Sequence, residues 1–243
     1  MQAAFPARPE PMPERPDIGW EAPPWNPREL LGVFLAPFGA TVLLAVLFAE
    51  QFGLHGQAEF LPVQGLQEIV TVAFVLWWVG GTTKHPLRAI GLSRRSWGDV
   101  GEGVGMGIVS LVAELVLLGI VLAVAGAVLG HRPSLPRSPF GPIHGLGWIS
   151  GVLIVGLAAP VAEEFLFRGW LFRGLRARFP FFTSAAISAA AFAFLHGSVI
   201  RFIPVFAVGM ILASLYERRR SLLATIVAHT TVNAIVVAFV LAR

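Results

Sequence analysis

The chain has 243 residues, of which 56% are hydrophobic and only 13% are charged. A soluble domain is typically about 45–50% apolar and about 25% charged, so this composition indicates a membrane protein. The chain has no cysteine, which excludes disulfides, thiol nucleophiles and thiolate metal sites. The net charge of +4 is a weak signal for nucleic-acid binding, but the positions of the basic residues fit membrane topology better, and no nucleic-acid partner is expected.

The chain divides into a polar tail and two membrane regions. Residues 1–29 contain eight prolines and charges of both signs but no apolar run, which is typical of a disordered cytoplasmic tail and not of a secretory signal. Residues 30–145 are expected to form the N-terminal membrane spans. Residues 146–243 are expected to form a second membrane region, which carries most of the intramembrane polar residues.

Seven apolar runs approach the length of about 20 residues that a helix needs to cross the hydrocarbon core of a bilayer. In chain order they are 30–50, 66–82, 101–129, 146–171, 182–199, 202–216 and 221–241. The sixth run is short and contains Pro204, so a broken or re-entrant piece is the alternative there. The sequence therefore predicts an all-α, polytopic membrane helical bundle of about seven spans, within a range of six to eight.

The basic residues predict the orientation of these spans. Of the 18 Lys and Arg residues, 13 lie in the N-terminal tail and in the loops after the second, fourth and sixth spans. Four lie in the opposite loops or at the C-terminus, and Arg168 lies within a span. Because cytoplasmic loops carry the excess of Lys and Arg, the N-terminus is predicted to be cytoplasmic and the C-terminus to lie outside.

The third span carries four alternating glycines and one acid. Gly101, Gly103, Gly105 and Gly107 form overlapping small-residue steps, which allow helix backbones to approach closely in lipid. Glu114 follows them in the same span and is expected to be paired or to lie near the interface rather than to act in a reaction.

Ionisable groups within spans cost about 2.5–3.5 kcal/mol each on insertion scales, so they mark functional sites by default. Apart from Glu114, the set in this chain is Glu163, Glu164, Arg168, His196 and His229, with the amide Asn233. All of them lie in the second membrane region. The sequence therefore predicts one polar site in that region.

Glu164 and Arg168 lie four residues apart, so they share a helix face with the acid before the base, which is the favourable order. They are expected to form a structural ion pair. Glu163 points about 100° away around the helix, so it cannot take part in the same ion pair. It is therefore the candidate general base.

The other motif residues repeat the spacing of four. Phe192 precedes His196, so its ring can wall the imidazole, and His196 can share an activated water with Glu163. His229 and Asn233 can both donate N–H bonds to a developing oxyanion. Because the chain has no cysteine and the cluster has no serine, water is the expected nucleophile, although Ser198 stays open. On spacing alone, these residues can instead hold helices together or relay protons or ions in a transporter.

The expected distances of these residues from the inner membrane surface differ, although one site requires them to be similar. At about 1.5 Å per residue, Glu163 and His229 lie about 10–12 Å from the inner surface, whereas His196, counted from Phe181, lies about 20 Å from it. Three explanations are open. The fifth span begins later than predicted, it is tilted, or the "RARFP" segment lies inside the bilayer.

Three motifs carry a resemblance to a known family. "EEFLFR" (Glu163 to Arg168) is similar to its pattern EExxxR, "FAFLH" (Phe192 to His196) to FxxxH, and "HTTVN" (His229 to Asn233) to HxxxN. In this order they resemble the CPBP family, also called ABI. It includes the type II CAAX prenyl endopeptidases and bacteriocin-processing or self-immunity membrane proteins. The basic segment "HPLRAIGLSRRSW" is similar to a segment common in such proteins, and the motif-bearing resemblance covers about residues 146–241.

The resemblance implies an intramembrane endopeptidase that uses a glutamate-activated water on a membrane-associated or lipidated peptide or protein. It implies Glu163 as the base, Glu164 held by Arg168, and His196, His229 and Asn233 as further catalytic residues. It also implies the cell membrane of a prokaryote, with the active site toward the cytoplasmic side. The alternative is a non-proteolytic scaffold or bacteriocin self-immunity protein with the same fold. The oligomeric state is left open.

The family has also been described as metalloprotease-like. A divalent metal such as zinc would take Glu163, His196 and His229 as its three ligands and leave one open position. However, the motifs do not have the HExxH arrangement, and asparagine is a poor zinc ligand. Catalysis without a metal or other cofactor is therefore the preferred expectation.

Overall fold

The computed structural model describes residues 57–92, 96–131, 133–134 and 146–241, with four isolated positions at 39, 43, 47 and 51. The side chains of 57–60, 146–148, 240 and 241 are outside this description. The predicted tail at 1–29 and, apart from isolated positions, the first predicted span at 30–50 also lie outside the described residues.

Within the described ranges every regular element is a helix, which confirms the predicted all-α class. The helices are α1 (Gln57–Thr82), α2 (Pro86–Ala89), α3 (Trp97–Leu129), α4 (146–176), α5 (Phe181–Leu195), α6 (Val199–Arg219) and α7 (Leu222–Leu241). Five of them, α1, α3, α4, α6 and α7, are long and apolar enough to cross a membrane. The described part of the chain is thus a polytopic helical bundle.

Helix α4 alternates between two kinds of helical turn. It begins as an α-helix over Leu146–Gly151, widens to a π-helix over Val152–Ala158, and returns to an α-helix over Ala159–Glu164. A second π-helical segment, Phe165–Phe172, leads to a last α-helical turn at Arg173–Arg176. π-helical turns are rare and occur frequently at functional sites. The two acids of the EExxxR motif end the α-helical piece between the two wide segments.

Several predicted spans differ from the observed helices. Helix α1 begins at Gln57 and not at 66, and α3 begins at Trp97 and not at 101. Helix α4 continues to Arg176, beyond the predicted end at 171. Helix α5 has 15 residues and ends at Leu195, because Gly197 adopts a left-handed backbone (φ 62°) that ends the helix. The alternative of a broken or re-entrant piece at Pro204 is wrong. Helix α6 is continuous over 21 residues, since a proline this early in the helix removes one backbone hydrogen bond and leaves the rest of the ladder intact.

Helix α3 packs closely against α7 through two of its four glycines. A Cβ atom on Gly103 would stand 2.7 Å from the carbonyl oxygen of Ala224, and one on Gly107 would stand 2.6 Å from that of Ala228. Among the described residues nothing lies within 4 Å of a Cβ placed on Gly101 or Gly105, so the predicted close approach of backbones is observed at two of the four glycines. Residues four apart share a helix face, whereas residues two apart point to roughly opposite faces. Gly103 and Gly107 therefore face α7, and Gly101 and Gly105 face away from it. The close approach fixes the position of α7 directly next to His229.

Replacing Gly107 by Leu is expected to destabilise the protein by about 1–3 kcal/mol, because α3 and α7 must separate to admit the side chain. The loss can be measured as the free energy of unfolding in detergent. Gly105→Leu is the matched control, two residues away on the open side, and is expected to change stability by about 0.5 kcal/mol or less. Equal losses in the two variants would contradict this account of the α3–α7 contact.

Ion pairs and caps join α3 to the start and the end of α6. Ser96 begins α3 with a capping box formed with Asp99, and the same Asp99 binds Arg219 at 2.7 Å. Farther along α3, Glu114 binds Arg201 at 3.0 Å, which confirms that this intramembrane acid is paired. Ser198 caps α6 by accepting a hydrogen bond from the backbone N–H of Arg201. Its hydroxyl therefore has a local structural role.

The segment after α2 closes the bundle at the end where Arg176 and Arg219 lie, which we call the basic end. The Tyr216 hydroxyl donates to the carbonyl of Ile90 at 2.8 Å, and the backbone N–H of Leu222 donates to the carbonyl of Gly91 at 2.9 Å. Gly91 has φ 80°, so it takes a backbone conformation that side chains disfavour. The "IGL" part of the predicted basic segment thus ties α2 to the turn between α6 and α7.

Candidate active site

Glu164 is fully buried and binds two partners through a single oxygen. Its Oε1 accepts a hydrogen bond from Arg168 Nη1 at 2.8 Å and another from His229 Nδ1 at 2.9 Å. The predicted pair of Glu164 and Arg168 is therefore present, with both side chains fully buried. Glu164 has a second role that the spacing did not predict, because it also orients the imidazole of His229.

Glu163 faces a different environment from Glu164, as the 100° rotation between neighbouring helix positions predicts. Its side chain is 27% exposed, and its Oε2 lies 3.5 Å from Nε2 of His229. This contact is longer than a hydrogen bond, and Glu163 Oε2 has no hydrogen-bond partner in the described part of the chain. The imidazole therefore lies between the two acids of the motif, bound to Glu164 and close to Glu163.

Phe192 lies at the centre of the site. Its buried ring packs edge-on against His196, with centroids 4.7 Å apart, and against His229 at 5.5 Å. The guanidinium of Arg168 lies 4.7 Å from the same ring, within the range of a cation–π contact. The expectation that this ring walls an imidazole is borne out for both histidines.

His196 forms the end of α5 and is held by its own helix. Its Nδ1 lies 2.8 Å from the carbonyl oxygen of Phe192. A carbonyl oxygen can only accept, so Nδ1 carries the hydrogen in this contact. In a neutral ring Nε2 then presents a lone pair and can accept a proton from water. His196 and Glu163 both line the same cavity, which has a volume of about 240 Å³.

Asn233 lies one turn beyond His229 on α7, and its side chain binds elsewhere. The amide Nδ2 donates to the carbonyl oxygen of Val155 at 3.1 Å, within the first π-helical segment of α4. Asn233 does not line the cavity that holds Glu163 and His196. Its observed contact stabilises the widened part of α4. The other predicted site residues are joined by the contacts described above, and of these Glu163, Phe192 and His196 line the cavity.

The end of α4 accounts for part of the mismatch in depth. Glu163 lies 13 residues before Arg176, the last residue of the helix, and not 8 before residue 171, so it lies deeper than predicted and lines the same cavity as His196. Helix α5 begins at Phe181, so a later start of the fifth span is excluded. His229 lies only seven residues after Leu222, the first residue of α7, so the end of α4 does not account for its depth.

Helix α1, whose residues sequence reasoning missed, also lines the cavity. Gln64, Gln67, Glu68 and Thr71 line the cavity from this helix. Glu68 is 5% exposed, and Nε2 of Gln64 donates to its Oε1. Gln67 and Glu68 lie at the beginning of the predicted second span. Two polar residues within an apolar run were the sequence signal that this helix contributes to the site.

The residues proposed as zinc ligands do not form a ligand set. Among the residues that the structure describes, no three His, Cys, Asp or Glu side chains are arranged to hold a metal ion. Both ring nitrogens of His229 face carboxylates, and Nδ1 of His196 faces a backbone carbonyl. We therefore derive no step through a metal, and catalysis without one stays a prediction.

Residues 145–235 match the family model described as Type II CAAX prenyl endopeptidase Rce1-like. The resemblance to type II CAAX prenyl endopeptidases is confirmed. The matched segment contains all three motifs, from Glu163 to Asn233, and it leaves out α1 and α3. At the level of the family, the chain is similar to CAAX-type membrane proteases.

A relative from Bacillus subtilis (strain 168), named "Putative membrane peptidase YdiL", is 22% identical over 222 residues, which cover 86% of each chain. No solved structure gave a match. With the five long apolar helices, the family similarity makes the chain an integral, multi-pass membrane protein.

Proposed function

We propose that this protein is an intramembrane endopeptidase that hydrolyses peptide bonds of membrane-associated or lipidated substrates. The observation that carries the proposal is the cavity in which Glu163 and His196 meet inside an apolar bundle. A partly exposed carboxylate and an imidazole that share a cavity are the groups that general-base activation of water requires. The similarity of residues 145–235 to type II CAAX prenyl endopeptidases supports a prenylated or otherwise membrane-anchored peptide as the substrate.

In the proposed reaction Glu163 removes a proton from a water molecule while the water oxygen attacks the scissile carbonyl carbon. His196 Nε2 accepts a hydrogen bond from the same water, because its Nδ1 already donates to Phe192. The tetrahedral intermediate then collapses, the C–N bond breaks, and the leaving amine takes the proton that Glu163 received. One water is consumed: its oxygen and one proton become part of a new carboxyl group, which then ionises, and its other proton reaches the new amine through Glu163.

His229 and Glu164 hold the base in place in this proposal. Glu164 fixes the imidazole through Nδ1, and Nε2 then points at Glu163. The arrangement of a buried carboxylate, an imidazole and a reacting group is one that orients catalytic histidines in hydrolases. Arg168 neutralises Glu164, so the protein carries this carboxylate in a low-dielectric region. Asn233 acts indirectly, by holding the π-helical segment that precedes the two acids.

We propose that the basic end of the bundle faces the cytoplasm of a prokaryotic cell; His196, about 20 Å along α5 from Phe181 at that end, places the site deeper in the bilayer than the expected position toward the cytoplasmic side. The loops at the basic end carry the arginine excess that marks the cytoplasmic side. The division into a tail at 1–29, spans at 30–145 and a catalytic region at 146–243 stays a prediction. The cavity joins the last two parts, because α1 supplies one of its walls.

The proposal can be tested in liposomes with a prenylated, internally quenched peptide and, separately, an unprenylated transmembrane peptide. The reaction is run in water enriched in ¹⁸O, and the products are identified by mass spectrometry. Cleavage with one ¹⁸O atom in the new carboxylate is the expected result for attack by water. An intact substrate with the wild-type protein correctly inserted would favour a scaffold or self-immunity role, and cleavage without ¹⁸O would contradict water as the nucleophile.

A further inference from the structure

The buried face of α1 carries polar residues in one part of the helix and apolar residues in another. Glu68, Thr71, Val75 and Val79 follow one another at helical spacing and are all buried. Val75 and Val79 are fully buried in the hydrophobic core, whereas Glu68 and Thr71 line the cavity. An apolar residue is the default at such positions within lipid, because an unsatisfied polar group is costly there. The face is polar where it borders the cavity and apolar where it packs in the core.

Four side chains make up this α1 polar face: Gln64, Gln67, Glu68 and Thr71. In the described part of the chain, the hydrogen bond from Gln64 to Glu68 is the only one that their side chains make. The Gln67 amide and the Thr71 hydroxyl therefore hold unused donors and acceptors next to the cavity. Their hydrogen-bonding capacity is available to a molecule in the cavity.

A substrate helix must lose its internal hydrogen bonds before a protease can reach its peptide bonds. Within a bilayer each exposed N–H and C=O then needs a new partner, or costs several kcal/mol. Amide and hydroxyl side chains can replace both kinds of bond, and the carboxyl oxygens of Glu68 can accept from an N–H. From Gln64 to Thr71 the face extends about 10 Å along the helix, the length of about three residues of extended peptide.

We infer that the α1 polar face binds the backbone of an unwound substrate segment opposite Glu163 and replaces the hydrogen bonds that the segment loses. The occupant is a peptide in extended conformation whose apolar side chains contact Leu166 and Leu195 on the other walls. The inference rests on the proposed function and adds a substrate-binding surface to it. This surface lies outside residues 145–235, the segment with the family similarity.

Binding and cleavage can be measured separately. The probe is a fluorescently labelled, prenylated peptide with apolar residues next to the prenylated cysteine, and its Kd is measured in detergent by anisotropy. The protein carries Glu163→Gln to prevent turnover. Thr71→Val and Gln67→Met are each expected to raise Kd about fivefold, because each removes one hydrogen bond that contributes about 1 kcal/mol to binding. Thr82→Val is the matched control on the same helix, since Thr82 binds its own backbone away from the cavity.

A second probe identifies the backbone as the bound group. Its peptide N–H groups near the prenylated cysteine are replaced one at a time by ester oxygens. At one position the ester is expected to raise Kd about fivefold for the parent protein. The same ester should not raise the Kd of the Glu68→Met variant further, because that variant has already lost the hydrogen bond between the carboxyl group and the peptide N–H. Additive losses at every position would overturn the inference.

The single variants also define the results that would contradict the inference. An unchanged Kd for both Thr71→Val and Gln67→Met would overturn the inference, and so would an equal rise for Thr82→Val. Loss of folding in Thr71→Val would also count against it, because that hydroxyl has no structural partner in the described part of the chain. An intact substrate with the wild-type protein would defeat the proposed function, and cleavage by Glu163→Gln at the wild-type rate would show only that Glu163 is not the base. Either result leaves the Kd comparison as a separate result.

Discussion

Replacing Glu163 by Gln is expected to lower the rate of peptide cleavage by about 10²–10⁴-fold, because the amide cannot accept a proton from water. The change keeps the size of the side chain and its place in the cavity, so the protein should insert and fold as the wild type does. The measurement is the initial rate on the prenylated quenched peptide in liposomes, normalised to correctly inserted protein. KM should change little, since the substituted group acts in the transition state.

The control for Glu163→Gln is Glu114→Gln. Glu114 is also an intramembrane acid, but it pairs with Arg201 and lies outside the cavity. This variant is expected to retain the wild-type rate. Wild-type cleavage by Glu163→Gln, or an equal loss in the two variants, would show that Glu163 is not the base.

Replacing Arg168 by Met is expected to destabilise the folded protein by about 3–5 kcal/mol, because it leaves a buried carboxylate without its cation. Arg168 is fully buried, and it also donates to the carbonyl of Gly209 at 3.3 Å, so its loss affects the contact between α4 and α6. The free energy of unfolding in detergent measures this effect. Activity should fall as well, since Glu164 also positions His229.

Two further variants make this expectation specific. Arg218→Met removes an exposed partner of Glu102 and is expected to cost at most about 1 kcal/mol. Adding Glu164→Gln to Arg168→Met removes the uncompensated charge and should restore part of the lost stability. If the double variant is no more stable than Arg168→Met alone, charge neutralisation is not the main contribution of Arg168.

The sequence predicted the helical class and most of the site because both depend on local spacing. Residues four apart on a helix share a face, and this rule correctly placed Glu164 beside Arg168 and Phe192 beside His196. The contact between Glu164 and His229 joins residues 65 positions apart, so no local rule could predict it. The rotation between neighbouring acids did predict that Glu163 and Glu164 have different surroundings.

The position of Asn233 and the role of α1 could not be predicted, for two different reasons. Asn233 binds a carbonyl of a π-helical segment, and an apolar sequence such as "VLIVGLA" gives no sign that the helix will widen there. The polar residues of α1 were visible in the sequence, but their meaning depends on which helix faces Glu163. That arrangement is a property of the tertiary structure.

The π-helical segment Val152–Ala158 has a consequence for how this protein tolerates changes in length. A π-helical turn closes its hydrogen bonds one residue later than an α-helical turn, so it holds an extra residue. A single-residue deletion within 152–158 could therefore be absorbed as a return to α-helix, without a break in the chain. The residues on either side of the segment would then keep their rotation relative to one another, so Glu163 and Glu164 would stay in place, and the change would be confined to the widened segment whose carbonyl Asn233 binds. The same deletion in α3, which is an α-helix throughout, would have no extra residue to remove.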